Sequence, residues 1–338
     1  MRKHLVFILL LFIYAVNLFS QDIHFSQNDA IPLYLTPAAA GEDCEYRVFF
    51  NHRNQWASVT VPYVTFSAAA DKSFGNVKFL GGHDAGAGII VSNDKAGDGE
   101  FTTTRIDLLG AYKLDFNNNI FKHLSLGLSL AYSRSSIIFS KLHFGNQFNG
   151  DRYDPNIAPD ESFENDAFGF VDFAIGAYGK LNVYGYPMNA GFSFNHINKP
   201  KQRFYGESDA NLYSRFNFFL EPRVRLNESN TLFPSFYWYR QGKLTEYDLG
   251  LIWRYSLPSM VVSNVYLGGW MRLRDAIILK LGVDYTNATI AVSYDINISK
   301  LKIASGGRGG IELSLIYRFC KPPEPAKNTI KHYCPEFM

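Results

Sequence analysis

The chain has 338 residues, of which 47% are hydrophobic, 16% aromatic and only 19% charged, against about a quarter charged in soluble domains. Its 33 Lys and Arg face 31 Asp and Glu, a formal charge of +2 that vanishes if Arg2 and Lys3 leave with a leader; such a balance carries no footprint of nucleic-acid binding. Apolar residues are interleaved with Gly, Ser and Asn instead of gathered in long runs, which argues against helical membrane spans and against disorder.

Arg2 and Lys3, the apolar run Leu5 to Phe19 and the small Ser20 read as a cleaved secretory signal over residues 1–20. The run is shorter than the roughly 20 residues a transmembrane helix needs, and no Cys follows it to carry a lipid. The mature chain is expected to start near Gln21 or Asp22, outside the cytoplasm. Residues 21–44 are punctuated by proline and rich in aromatics, unlike a flexible linker. They suit packing in a lumen or against a periplasmic rim, or a plain ordered lead-in to the first strand.

From Glu45 to Phe319 the dominant pattern is strict alternation, the mark of strands with two unlike faces. Leu124, Leu126, Leu128, Leu130 and Tyr132 alternate with Ser125, Gly127, Ser129, Ala131 and Ser133; Tyr247 to Tyr255, Ile277 to Tyr285 and Ile290 to Ile296 repeat the pattern. A soluble sandwich would show a charged polar face to water. Here that face is Gly, Ser, Ala and Asn, and the apolar face is aliphatic with aromatics toward strand ends. This predicts an all-β fold, a transmembrane antiparallel β-barrel of the outer membrane with a polar lumen.

Fourteen strands are predicted, near 45–54, 61–72, 84–94, 102–115, 123–136, 167–181, 186–196, 212–226, 231–240, 246–256, 262–272, 276–286, 289–298 and 309–319. An even count puts both barrel ends in the periplasm. The tight connections Asn182 to Gly185, Asn227 to Asn230 and Asn287-Ala288 are assigned to that side. The long ones, Ile137 to Asp166, Ile197 to Asn211 and Ser299 to Arg308, are assigned to the exterior. The inward positions include Arg105, Asp107, Lys113, Arg254, Lys280, Asp284, Asp295, Glu312 and Arg318, whose opposite charges are expected to pair across the lumen and block it. Residues 320–338, with four prolines, form a short periplasmic tail that is either a stiff arm or a mobile end.

Chemistry-bearing motifs are few. The acidic residues of the longest loop (Asp151, Asp154, Asp160, Glu161, Glu164 and Asp166) offer oxygen ligands for calcium, but without EF-hand spacing a solvated loop is the better reading. The sequence holds no G-x-S-x-G, H-E-x-x-H or phosphate-binding glycine loop, and the eight histidines are scattered. No catalytic, cofactor or metal residue is expected. Cys44 precedes the first strand, Cys320 follows the last and Cys334 lies in the tail; Cys44 with Cys320 and Cys320 with Cys334 both remain open as disulfides in an oxidising periplasm.

The ends carry a resemblance. Phe25, Ser26, Gln27, Pro32, Leu33, Tyr34, Pro37, Ala38 and Gly41, then Arg53, Asn54, Gln55 and Trp56, then Gly307 to Leu315 with Arg308 and Glu312, and finally Cys334, Pro335 and Phe337 occur in the order found in the PorP/SprF family of type IX secretion outer-membrane proteins. Thr36, His52 and Glu336 depart from its usual Asn, Tyr and Arg, and the last reverses a charge in the tail. The resemblance implies a non-enzymatic component of type IX secretion and gliding machinery in a Gram-negative outer membrane. Its implied partners are adhesin-like cargo with a type B C-terminal domain, periplasmic ring or lipoprotein components, and outer-membrane lipid. The resemblance makes Phe25, Ser26, Gln27, Pro32, Leu33, Tyr34, Pro37, Arg53, Asn54, Gln55, Trp56, Arg308, Glu312, Cys334, Pro335 and Phe337 candidate partner contacts. The alternative is an outer-membrane transporter or channel for a hydrophobic or small solute, which would need an open polar path.

Overall fold

The computed structural model describes residues 22–59, 61–116, 118–160, 165–202, 211–300 and 302–320. Among them fifteen strand segments follow in chain order: β1 (Tyr46–Gln55), β2 (Tyr63–Val77), β3 (His83–Ala96), β4 (Phe101–Asp115), β5 (Phe121–Ser136), β6 (Ala167–Val183), β7 (Tyr186–Asn195), β8 (Arg215–Pro222), β9 (Val224–Arg225), β10 (Asn230–Gln241), β11 (Leu244–Ser256), β12 (Val262–Arg272), β13 (Ala276–Tyr285), β14 (Ala288–Asn297) and β15 (Arg308–Phe319). Neighbours pair antiparallel, and β1 pairs with β15 from Tyr46↔Phe319 to Gln55↔Gly310, so the sheet closes on itself. β8 and β9 are two pieces of one barrel strand, both paired with β10, which makes a closed 14-strand barrel.

The break in that strand has a local cause. The registers Phe236↔Leu220 and Leu232↔Val224 set Pro222 opposite Pro234, and neither proline has an N–H to give the ladder. The single strand predicted over 212–226 is therefore cut at Arg223; it begins at Arg215, three residues later than predicted. β2 runs on to Val77, five residues past its predicted end; the other predicted bounds agree to within two residues.

The alternation sorts as its chemistry requires. On β5, Leu126, Leu128, Leu130 and Tyr132 are 43–62% exposed on the outer face, while Ser125, Ser129 and Ser133 are buried within. Ile277, Leu279 and Leu281 of β13 likewise face outward and Ile278 inward. Such an apolar exterior is stable only against lipid, and closure leaves no unpaired strand edge there.

Both barrel ends lie on one rim, the terminal rim, where Cys44 and Cys320 form a disulfide. Cys334, the other candidate partner of Cys320, lies outside the described residues. The opposite, far rim departs from the predicted alternation of short and long connections. Besides its long loops, 137–166, 196–214 and 298–307, it carries three tight turns at 97–100, 242–243 and 273–275. Gly97 (φ 69°), Gly242 (φ 58°) and Arg274 (φ 68°) supply the left-handed backbone that such turns need.

Candidate functional site in the barrel lumen

The lumen is occupied by the chain's own N-terminal segment. Three short helical turns, Asn28–Ala30, Pro32–Leu35 and Pro37–Ala39, make a compact strap. Pro32 and Pro37 open the second and third, where a missing N–H costs nothing. The Thr36 hydroxyl accepts from the Ala38 N–H at 3.4 Å and donates to the Phe192 carbonyl of β7 at 3.1 Å.

The strap threads the barrel from one rim to the other. At the far rim the Asp22 N–H donates to Gln241 Oε1 (3.0 Å). His196, just beyond β7, donates through one ring nitrogen to Asp22 (2.5 Å) and through the other to Asp172 (2.7 Å). Burial works against a charged ring, but the carboxylates of Asp22 and Asp172 outweigh it and push the His196 pKa up to about 9. Halfway down, the Ser26 and Gln27 N–H groups donate to the Glu312 carboxylate (2.6 and 3.2 Å), and the Ser26 hydroxyl to Asp295 (2.6 Å). Arg53 joins the same knot, bonding the His24 carbonyl and pairing with Asp295 at 2.9 Å. A register shift between Tyr294 and Ile296 marks an irregularity at Asp295.

Below that level Asn28 lies between Asp248 and Tyr239 (both 3.0 Å), and Lys280 pairs with Asp29 at 2.6 Å. Toward the terminal rim the Gly41 N–H donates to Asp71 (2.7 Å), Arg47 donates to the Ala39 carbonyl (2.8 Å), and Lys113 reaches the Gly41 carbonyl. Glu42 receives Lys180 (2.7 Å) and His123 (2.8 Å). Burial alone would raise the Glu42 carboxyl; these two partners hold it below its ordinary range. Two glycines let the strap backbone touch the wall. A Cβ on Gly86 of β3 would lie 1.9 Å from the Ala40 carbonyl oxygen, and one on Gly127 of β5 would lie 2.2–2.5 Å from Pro37 and Ala38.

The candidate contacts divide accordingly. Phe25, Ser26, Gln27, Leu33, Pro37, Arg53 and Glu312 are buried in the lumen, with Pro32 and Tyr34 half-buried beside them. Their shared work is to hold strap against wall. Asn54, Gln55 and Trp56 end β1 at the far rim, where Trp56 packs edge-on against Tyr63 at 5.0 Å, and Arg308 is exposed at the start of β15. Cys334, Pro335 and Phe337, like the predicted leader over 1–20 and residues 321–338 of the predicted tail, lie outside the described residues. The expected cross-lumen blockade by wall charges is corrected in kind. Lys280, Glu312 and Lys113 spend their charges on the strap, which lies between them; Asp295 is shared by the Ser26 hydroxyl and Arg53, and Arg105 pairs with Asp107 on its own strand. Among the described residues no three His, Cys, Asp or Glu side chains assemble as a metal site, and Asp154 of the acidic loop is occupied with Asn156.

The family described as type IX secretion system membrane protein PorP/SprF matches residues 17–317, and the chain belongs to it. No curated protein matches the sequence. Among solved structures, the chain is similar to the Ralstonia pickettii toluene transporter TbuX (TM-score 0.50, 8% identity, covering 86% of this chain and 94% of that one). It is also similar to a Pseudomonas aeruginosa FadL homologue (0.47, 12%, 86% and 94%) and to the translocator domain of the autotransporter NalP from Neisseria meningitidis (0.44, 14%, 81% and 88%). At such identities the likeness is one of fold: an outer-membrane barrel.

Proposed function

We propose that this PorP/SprF barrel is a non-enzymatic outer-membrane component of type IX secretion that supports export or surface attachment of adhesin-like cargo bearing a type B C-terminal domain, with a place in gliding machinery. The observation that carries the reading is the family match over 17–317, joined to a lumen through which the strap runs and to whose wall it is bonded at three levels. A transporter needs a through-path; a scaffold does not. In this reading the terminal rim faces the periplasm, where ring or lipoprotein components meet it. The far rim faces the exterior, where Asn54, Gln55, Trp56 and Arg308 stand among the loops available to cargo. Residues 1–20 are the cleaved leader and 320–338 the periplasmic tail, whose Cys334, Pro335 and Phe337 serve as partner contacts.

The test is affinity purification of the tagged protein from detergent-solubilised outer membranes, with mass spectrometry of what accompanies it. Recovery of a large surface protein through its C-terminal domain, or of periplasmic ring components, is the expected result. Recovery of the barrel alone, together with solute uptake in liposomes, would replace the reading with the transporter.

A further inference from the structure

The strap fills the lumen unevenly. Between it and the wall made by β3 to β8 remains a cavity of about 620 Å³, within the roughly 300–1,000 Å³ of pockets that enclose small molecules. Its depth can be read from the register. The pairs Ile90↔Asp107, Leu109↔Ser129, Arg105↔Ser133 and Thr103↔Ser135 stack it in layers along β3, β4 and β5. At the bottom, Leu33, Tyr34 and Pro37 of the strap meet Ile90 and Leu109 of the wall. Leu33, Ile90 and Leu109 are buried and give the floor an apolar face, beside the Asp107 carboxylate and the Ser129 hydroxyl of the same layers. The middle layers carry the hydroxyls of Ser133 and of Thr103 and Ser135, the last two bonded to each other at 3.0 Å, and Phe101 and Phe168 stand highest, at the far rim.

The positive charges on the wall are already paired, and Asp94, which also lines the cavity, adds a carboxylate that accepts from the Thr65 hydroxyl at 2.6 Å. Arg105 is paired with Asp107 (2.8 Å) and Asp172 (2.9 Å), His196 lies between Asp172 and Asp22, and Arg215 is 3.7 Å from Asp22. Taking a carboxylate or phosphate from water into this cavity would offer it no spare counter-charge, and an uncompensated buried charge is strongly disfavoured. A neutral head with hydroxyl or amide groups meets hydroxyl partners instead, and an alkyl or aryl tail meets the floor.

We propose that this outer-lumen cavity is a binding cup for a neutral amphipathic small molecule arriving through the far rim, held tail-down on Leu33, Ile90 and Leu109 with its head among Thr103, Ser133 and Ser135. The cup retains its ligand, because the strap closes the way onward. The inference stands on the cavity alone and does not depend on the secretion assignment.

The experiment uses the mature chain in lipid nanodiscs and n-octyl β-D-glucoside below its micelle-forming concentration, with octanoate and glucose as comparison probes, followed by calorimetric titration. Saturable binding of the glucoside is expected, at least tenfold tighter than octanoate or glucose. Ser133→Phe, which fills the middle layer, should weaken it at least tenfold. Thr103→Val, which keeps shape and removes a hydroxyl, should weaken it about fivefold, and it serves as the test on its own if Ser133→Phe fails to give the heat-modifiable folded band. Absence of saturable binding to the folded wild type would overturn the cup. So would binding unchanged in the variants, since the probe would then lie on the lipid-facing wall, and octanoate binding as tightly as the glucoside would overturn its neutral character.

Discussion

Arg53 shows how a single motif residue does structural work. It is 2% exposed, holds the strap at the His24 carbonyl and neutralises Asp295. Removing one partner of a buried pair leaves a charge with no compensation, so Arg53→Leu is expected to cost about 3–5 kcal/mol, measured as the urea concentration at which the folded gel band is lost. Gly86 and Gly127 work by having no side chain. Gly86→Val and Gly127→Val push against strap backbone that cannot move without leaving the wall, an overpacking cost of about 1–3 kcal/mol, read by the same assay. His196 gives the clamp at the far rim a pH dependence. Its pKa is raised in the folded protein to about 9 from 6.5, so its contribution is complete below pH 6.5 and is lost as pH rises through 9. That loss amounts to about 3 kcal/mol for a shift of this size. Thermal unfolding followed from pH 6 to 10 should fall over that window in the wild type and stay flatter in His196→Gln.

At the scale of elements, strands and strap are unequally legible in the sequence. A two-residue period repeated fourteen times marks lipid on one side and lumen on the other, so strand positions, and the outward run Leu126 to Tyr132, can be read directly. The strap cannot be placed that way, because Asp22 to Cys44 has no period and its path is set by partners 200 or more residues away, such as Asp248 for Asn28 and Glu312 for Ser26. Gly86 and Gly127 look like ordinary members of the small polar face; only the approach of the strap gives them a role. The tight far-rim turns escape a reading that infers loop length from side, although Gly97 and Gly242 signal them. The cavity leaves no trace in the sequence, being the difference between two surfaces. The Cys44–Cys320 bond joins the strap's lower end to the last strand and closes a loop of 276 residues. The chain-entropy account gives such a bond about 5 kcal/mol or more, and β1–β15 pairing already supplies part of that closure. The double variant Cys44→Ala, Cys320→Ala should therefore still form the barrel but lose its folded band at a temperature several degrees lower.

For the whole molecule, closure and plugging are separate facts with separate consequences. Closure of 14 strands makes a stable lipid-facing cylinder, shared with barrels of many activities, and says nothing by itself of what the cylinder does. The strap distinguishes this one. It is bound at the far rim by His196 and Gln241, in the middle by Arg53, Asp295 and Glu312, and at the terminal rim by Asp71, Lys113 and the disulfide. Release at one level leaves two in place. A barrel so filled fits a PorP/SprF component that presents loops and rims to partners better than one that passes solutes. The most direct measurement is single-channel recording of the purified wild-type protein in planar bilayers. A plugged lumen predicts no steady open state in the wild type. A steady open conductance in the wild type would contradict it.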